Sequence, residues 1–244
     1  MMSTPDSAKS RPDVVSLGDQ DAVKEIVWKS VLGLWDLIND LTRLQPSRRE
    51  RYRVSIFGSA RAGAGSFGYE ETKRVAGALA EMGCDIITGG GPGLMQAANE
   101  GAASSPERAR SVGIRVDLPF EQDANAFVGL AFEHRTFFTR LHQFVLMSDA
   151  FVVAPGGIGT VLEMLMIWQL LQVRHLRDTP LILVGRMWPG LVEWAKASML
   201  STTPPLASAE DMTIPRCVAT GDEAIALIRE HHARWLAGGP SGAR

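Results

Sequence analysis

The chain is poor in cysteine, with only Cys84 and Cys217 among its 244 residues. They lie far apart in sequence. No CxxC redox pair or paired-cysteine zinc motif is present, and a chain of this length buries a core without disulfide staples. Two isolated cysteines point to a reduced compartment. Lysine is also scarce and is confined to Lys9, Lys24, Lys29, Lys73 and Lys196. No apolar run approaches the roughly 18 residues that a helical membrane span requires. The opening MMSTPDSAKSRPD is polar and lacks the apolar stretch of a secretory signal. No excess of positive charge exists either, since the formal net charge is −2. A global basic field that would recruit nucleic acid is therefore excluded. The expectation is a cytoplasmic protein with no membrane or nucleic-acid partner.

What is present is ordinary globular composition, with hydrophobic residues at 45% and charged residues at 21%. Residues 1–18 are rich in Ser, Pro and Asp and read as a disordered tail. Residues 19–50 read as a helix and linker. Val23, Ile26, Val27, Val31, Leu34, Ile38 and Leu41 recur at helical spacing, and Pro46 closes the segment. The basic run Arg48, Arg49, Arg51, Arg53 fits a solvated linker. Residues 51–236 form the main domain, and 237–244 a frayed tail.

Within the main domain strands alternate with helices. Strands are expected at 53–57, 85–88, 111–116, 130–133, 150–154, 181–184 and 214–218. Helices are expected at 69–82, 93–103, 136–147, 159–173, 188–199 and 222–236. The runs Ile86-Ile87, Phe151-Val152-Val153 and Leu181–Val184 are apolar on both faces, as parallel strands are. The alternation implies an α/β fold: a doubly wound parallel sheet of about seven strands, with an N-terminal helical extension.

Three strands run into glycines: Phe57-Gly58-Ser59-Ala60-Arg61, Thr88-Gly89-Gly90-Gly91-Pro92-Gly93 and Ala154-Pro155-Gly156-Gly157-Ile158-Gly159-Thr160. In such a sheet ligands bind at the carboxyl ends of strands, near a switch in strand order. A dinucleotide fingerprint needs G-x-G-x-x-G, but the sixth residue is Leu94 counting from Gly89 and Leu162 counting from Gly157. Gly63-Ala64-Gly65-Ser66-Phe67-Gly68 matches, yet it lies past its strand, and the next strand carries no acid at its end to hold a ribose. A Walker A loop is absent, because no glycine loop carries Lys followed by Ser or Thr. A mononucleotide-like site remains. Gly156, Gly157 and Gly159 leave backbone N–H groups bare, the following helix adds its positive end, and Thr160 adds a hydroxyl, which suits a phosphate monoester. The bland alternative is a glycine-rich turn with nothing bound.

Glu163 is the unexpected group. The spacing places it in the first turn of that helix, where an acid is commonplace. A carboxylate beside a phosphate cradle repels the ligand unless it serves another part of it. The sugar is the natural target, since a fixed negative charge stabilises an oxocarbenium-like centre or orients water toward it. Ser59 and Arg61 stand where a first glycine loop touches phosphate or base.

The chain resembles the LOG (Lonely Guy) family of cytokinin-activating phosphoribohydrolases, long labelled lysine decarboxylases. Pro155 to Glu163 matches the family motif PGGxGTxxE in full, and Gly89 to Met95 is similar to its GGGxxGLM. Phe57 to Arg61 and Leu118-Pro119-Phe120-Glu121-Gln122 add to a similarity spanning roughly residues 50 to 235. The resemblance implies a Rossmann-like fold, a homodimer, and hydrolysis of a nucleoside 5′-monophosphate, such as AMP or a cytokinin ribotide, to free base and ribose 5-phosphate. No metal or organic cofactor is expected. Arg140 and Glu163 are implied as the catalytic pair. Gly90, Gly91, Met95, Glu121, Gly156, Gly157, Ile158, Gly159 and Thr160, with Ser59, are implied around the substrate. Core packing is the competing reading for Met95, core rather than a stacking platform is expected for Phe137 and Phe138, and core or dimer contact for Trp168 and Leu171.

Two positions depart from the family pattern. Leu141 stands where a Lys commonly follows the Arg, and Leu162 where another acid commonly precedes the Glu. They motivate an alternative: a non-catalytic carrier of a nucleotide or of a phosphorylated pterin such as the molybdenum cofactor. Decarboxylase chemistry fails on other grounds. Pyridoxal catalysis needs a Schiff-base lysine, and no lysine lies in a glycine loop.

Overall fold

The computed structural model describes residues 15–16, 18–41, 50–116 and 124–238. Most of the expected tail over 1–18, most of the linker, Glu121, and the end of the chain from residue 239 lie outside the described residues. The chain forms two compact units, Met1–Pro46 and Ser47–Arg244. In the first, α1 spans Gln20–Leu41. Asp19 caps it, its carboxylate accepting from the Ala22 N–H at 3.1 Å.

The second unit is built on β1 (Arg53–Phe57), β2 (Asp85–Thr88), β3 (Ser111–Val116), β4 (Leu130–His134), β5 (Ala150–Val153), β6 (Leu181–Val184) and β7 (Pro215–Val218). They form a seven-stranded sheet in the order β4-β3-β2-β1-β5-β6-β7, with every pairing parallel. The helices are α2 (Phe67–Glu81), α3 (Leu94–Ala103), α4 (Phe137–Met147), α5 (Ile158–Gln172), α6 (Met187–Met199) and α7 (Gly221–Gly238). The sheet is Rossmann-like and doubly wound. From β1 the chain runs outward to β4, then returns to place β5 on the other side of β1.

Side-chain alternation explains why both faces are covered. Val54 and Ile56, Ala150 and Val152, and Ile182 join one core with α2, α3 and α7. Phe57, Phe151, Val153, Leu181 and Leu183 join the other with α4, α5 and α6. Burying each large aliphatic side chain contributes about 1.5–3 kcal/mol, so strands apolar at every position are stable only between two helical layers. The edge strand β4 is largely exposed, consistent with its polar Glu133 and His134.

At the amino ends of the strands Tyr52, His231 and His232 pack together beneath β1. The Tyr52 hydroxyl and His231 Nδ1 are 2.6 Å apart, and His231 Nε2 reaches the Asp178 carbonyl at 2.8 Å. Burial pushes the Cys84 thiol beside them up to about 12, so it stays protonated and unreactive. Burial, then the neighbouring His231, hold the His232 imidazole below its ordinary 6.5, against a smaller opposing pull from Asp149. Burial lowers His142 in the same way, followed by His175. Both imidazoles take up a proton less readily folded than unfolded. Their contribution to stability is therefore complete above the unfolded pKa and is lost as pH falls through the lowered folded value. Thermal melts should fall on acidification below about pH 6.5, and His232→Gln should flatten that slope. An unchanged slope in the variant would remove His232 from this account.

Candidate active site

The three glycine loops leave β1, β2 and β5, which are adjacent in the sheet and flank the switch in strand order. Backbone hydrogen bonds join them. Ser59 N donates to Pro155 O at 3.1 Å, Leu94 N donates to Ser59 O at 2.8 Å, and Ala154 N donates to Phe57 O at 2.8 Å. The Ser59 backbone is thus the hub between all three loops, while its hydroxyl accepts from Arg61 N at 3.1 Å. Gly93, with φ +71, has no room for a side chain: an added Cβ would meet the Ala60 Cα at 2.8 Å.

Gly157 ends the β5 loop as the N-cap of α5, with no side-chain capping bond. By contrast Ser66 caps α2 and Thr136 caps α4. Gly157 and Gly159 are exposed, a Cβ added at either would meet nothing within 4 Å, and the first amides of a helix have no intrahelical partner. Such an end is suited to an anion. Thr160 is buried and its side chain fills the space over Gly156. Gly156, Gly157, Gly159 and Thr160 are therefore together, and the Ile158 side chain between them is 87% exposed.

Glu163 lies in the second turn of α5, not the first, because the helix starts at Ile158 and carries no acid in its first turn. The dipole effect fades beyond the first turn, and a different partner holds the carboxylate. Arg140 of α4 is that partner, with Nη1 3.3 Å from Glu163 Oε1 and both side chains 12% exposed. The guanidinium is fixed on its other sides. Nε donates to the Ile114 carbonyl at 2.9 Å, Cζ sits 5.4 Å from the centre of the Phe144 ring, and Nη2 occupies the space over Gly89. A buried charge of this kind persists only when paired. Here two opposite charges sit side by side next to the β2 glycine loop.

Met95 packs across the β2 loop; a Cβ added at Gly91 would meet its Cε at 2.9 Å. Gly90, Gly91 and Met95 thus border the same crevice. Trp168 is core, its indole N–H donating to the Asp211 carbonyl at 2.8 Å. Phe137 and Phe138 depart from core packing at 46% and 83% exposed, because both precede the inward face that α4 forms with Leu141, Phe144 and Val145.

Sequence reasoning missed a polar network beneath the β2 loop. Asn125 N donates to Gly90 O at 2.9 Å, and its Nδ2 donates to Gly90 O at 3.1 Å, Gly91 O at 3.0 Å and Asn99 Oδ1 at 3.0 Å. The Thr88 hydroxyl donates to Asn99 Oδ1 at 2.6 Å and accepts from Gly90 N at 2.9 Å. Asn99 Nδ2 donates to Ser111 Oγ at 2.9 Å. Thr88 and Asn99 are buried polar residues in apolar surroundings, which was the one available signal. Satisfied networks of this kind fix a single loop geometry.

The fold and the crevice define a Rossmann-like α/β protein whose glycine loops meet at the switch in strand order. Residues 95–228 match the family model described as "Possible lysine decarboxylase", and the chain belongs to that LOG-like family. No curated protein matches the chain. Among solved structures, the molybdenum cofactor carrier protein of Chlamydomonas reinhardtii is 17% identical over 75% of this chain and 99% of its own, with a TM-score of 0.58. The molybdenum cofactor binding protein of Rippkaea orientalis is 18% identical over 74% of this chain and 97% of its own, with a TM-score of 0.56. The protein TM1055 is 19% identical over 73% of this chain and 99% of its own, with a TM-score of 0.51. At these identities the likeness is one of fold.

The decarboxylase description finds no support in the site. Lys73 is ion-paired with Glu100 at 2.6 Å. Lys196 lies in the last turn of α6, at the opposite end of the sheet from the glycine loops.

Proposed function

We propose that this protein hydrolyses the N-glycosidic bond of a nucleoside 5′-monophosphate, AMP or a cytokinin-like ribotide, releasing free base and ribose 5-phosphate. The observation that carries this reading is the largely buried Arg140–Glu163 pair, its acid in the second turn of α5, a helix whose N-terminus at Gly157 has no side-chain cap. The amides and Thr160 hold the phosphate. The C1′–N bond breaks with its electron pair leaving on the base, and positive charge develops at C1′. Glu163 stabilises that charge and takes a proton from the attacking water, whose oxygen bonds to C1′; a proton returns to the base. Arg140 keeps the carboxylate oriented and polarises the reacting nucleotide. Glu121 is proposed to contact the sugar. The test is release of free base from a panel of nucleoside monophosphates by the full chain. Absence of release from every common 5′-monophosphate overturns the reading.

A non-catalytic carrier is the second reading. The two molybdenum cofactor proteins that share this fold along nearly their whole length favour it. Native mass spectrometry separates the two readings, since a carrier retains an intact phosphorylated ligand that it does not turn over.

The active form is proposed to be a homodimer. The outward face of α5 carries Ile158, Leu162 and Leu165, all exposed, on a helix that is apolar all round. A second copy covering this stripe would bury it. Sedimentation equilibrium should give twice the 26.5 kDa chain mass, and Leu162→Glu with Leu165→Glu should return the monomer. A monomeric native chain would contradict this.

A further inference from the structure

We propose that Asn125 is a positioning residue for the proposed reaction: its amide locks the β2 glycine loop in the shape that seats Arg140 beside Glu163. The proposal rests on the reading of this site as one that cleaves a nucleotide. A chain of contacts leads from one residue to the other. Asn125 Nδ2 donates to Gly90 O at 3.1 Å and to Gly91 O at 3.0 Å, and Asn125 N donates to Gly90 O at 2.9 Å. Gly90 N in turn donates to the Thr88 hydroxyl at 2.9 Å. Gly89 lies between these two anchored residues. The space where a Gly89 side chain would stand is taken by Arg140 Nη2 and by Met95 Sδ, the latter 2.6 Å from an added Cβ. Arg140 therefore rests on backbone whose shape Asn125 helps to set.

The loop is held from both faces of the sheet. Asn99, which accepts from Asn125, comes from α3, whose Ala98 and Ala102 join one core. Arg140 comes from α4, whose Phe144 and Val145 join the other. Gly90 has φ +72 and sits against β3, where an added Cβ would lie 3.0 Å from Arg115 Cγ and 3.3 Å from Gly113 Cα. The residue type at 125 is specified too. Nδ2 faces three acceptors, Gly90 O, Gly91 O and Asn99 Oδ1, while Oδ1 accepts from Phe127 N at 3.2 Å. An amide supplies a donor on one side and an acceptor on the other; a carboxylate would set oxygen against oxygen. Asn99 is fully buried, so an acceptor released there is costly to leave unpaired. A displacement of about 1 Å in a group that orients reacting atoms costs about a hundredfold in rate.

Two measurements on the full chain test this. The first needs no turnover. The Arg140 Nε–H, assigned by its loss in Arg140→Lys, donates to the Ile114 carbonyl, and heteronuclear NMR follows its exchange with solvent. The Trp168 indole N–H, bonded to the Asp211 carbonyl, is the control. Asn125→Ala should speed Arg140 exchange about tenfold and leave Trp168 within about twofold. A residue of merely general structural value would speed both alike or neither, and either result overturns the proposal. The second measurement is a double-mutant cycle on base release. Asn125→Ala should lower kcat about thirtyfold with KM within about threefold. In an Arg140→Lys background the same substitution should cost less than about threefold more. Penalties that simply multiply would overturn the proposal. Asn125→Asp keeps the side-chain volume and the bond from Phe127 N, and it carries both comparisons should the truncation not fold. A native chain that releases no base sinks the hydrolysis reading alone, and the exchange rates then decide the role of Asn125 by themselves.

Discussion

Glu163→Gln is expected to lower kcat for base release about a thousandfold while nucleotide affinity stays within about threefold. The size follows from charge. A carboxylate about 4 Å from a developing unit charge is worth about 4 kcal/mol at the effective dielectric of a partly enclosed site, or roughly three powers of ten in rate. The amide keeps the shape of Glu163 and still accepts a hydrogen bond from Arg140, so the 3.3 Å contact is not replaced by a cavity. The proposed phosphate cradle, Gly156 to Thr160, is untouched. Single-turnover base release gives the first quantity and calorimetry the second. A variant with kcat within tenfold of native would show that the carboxylate does not face the reacting carbon.

The largest effect on stability is expected from Gly93→Ala. The residue has φ +71 and ψ −133 at the N-cap of α3, a conformation that costs an L residue of order 1–3 kcal/mol. Space is lacking as well, because the added methyl would meet the Ser59 carbonyl and the Ala60 backbone. Backbone yields less readily than the end of a side chain. The Ser59 carbonyl also accepts from Leu94 N, and the Ser59 N–H donates to Pro155, so any shift loosens all three glycine loops at once. The expected loss is about 4 kcal/mol, or a melting temperature lower by roughly 10 °C for a domain of this size. Gly157→Ala is the control, since φ is −88 there and a Cβ meets nothing within 4 Å. Its melting temperature should stay near that of the native chain. Two variants that melt alike would refute the steric argument.

The strands were the most legible elements. β1, β2, β3 and β6 have the boundaries expected from the sequence, because short strands covered on both faces are mostly buried along their length and stop where turn residues begin. Helix starts were less legible. Ser66 accepts from Tyr69 N, and this cap begins α2 at Phe67, two residues before the apolar periodicity does. Glu163 illustrates the same problem within the site. Its spacing from the glycines was plain in sequence, whereas its pairing with Arg140, 23 positions earlier on another helix and 3.3 Å away in space, was implied only by the family resemblance. Arg115 and Asn125 carried no motif, and their proximity to Gly90 arises only because β3 pairs with β2.

By itself the sequence determined the alternation of strand and helix, the glycine-bearing ends of three strands, and the acid that follows the third. Each of these is written in a few consecutive residues, where local sterics and hydrophobic period decide the outcome. Tertiary structure alone decided that β1 lies between β2 and β5. That pairing joins segments some hundred residues apart, through contacts that no local propensity encodes, and it brings the separate glycine loops together with the Arg140–Glu163 pair beside them.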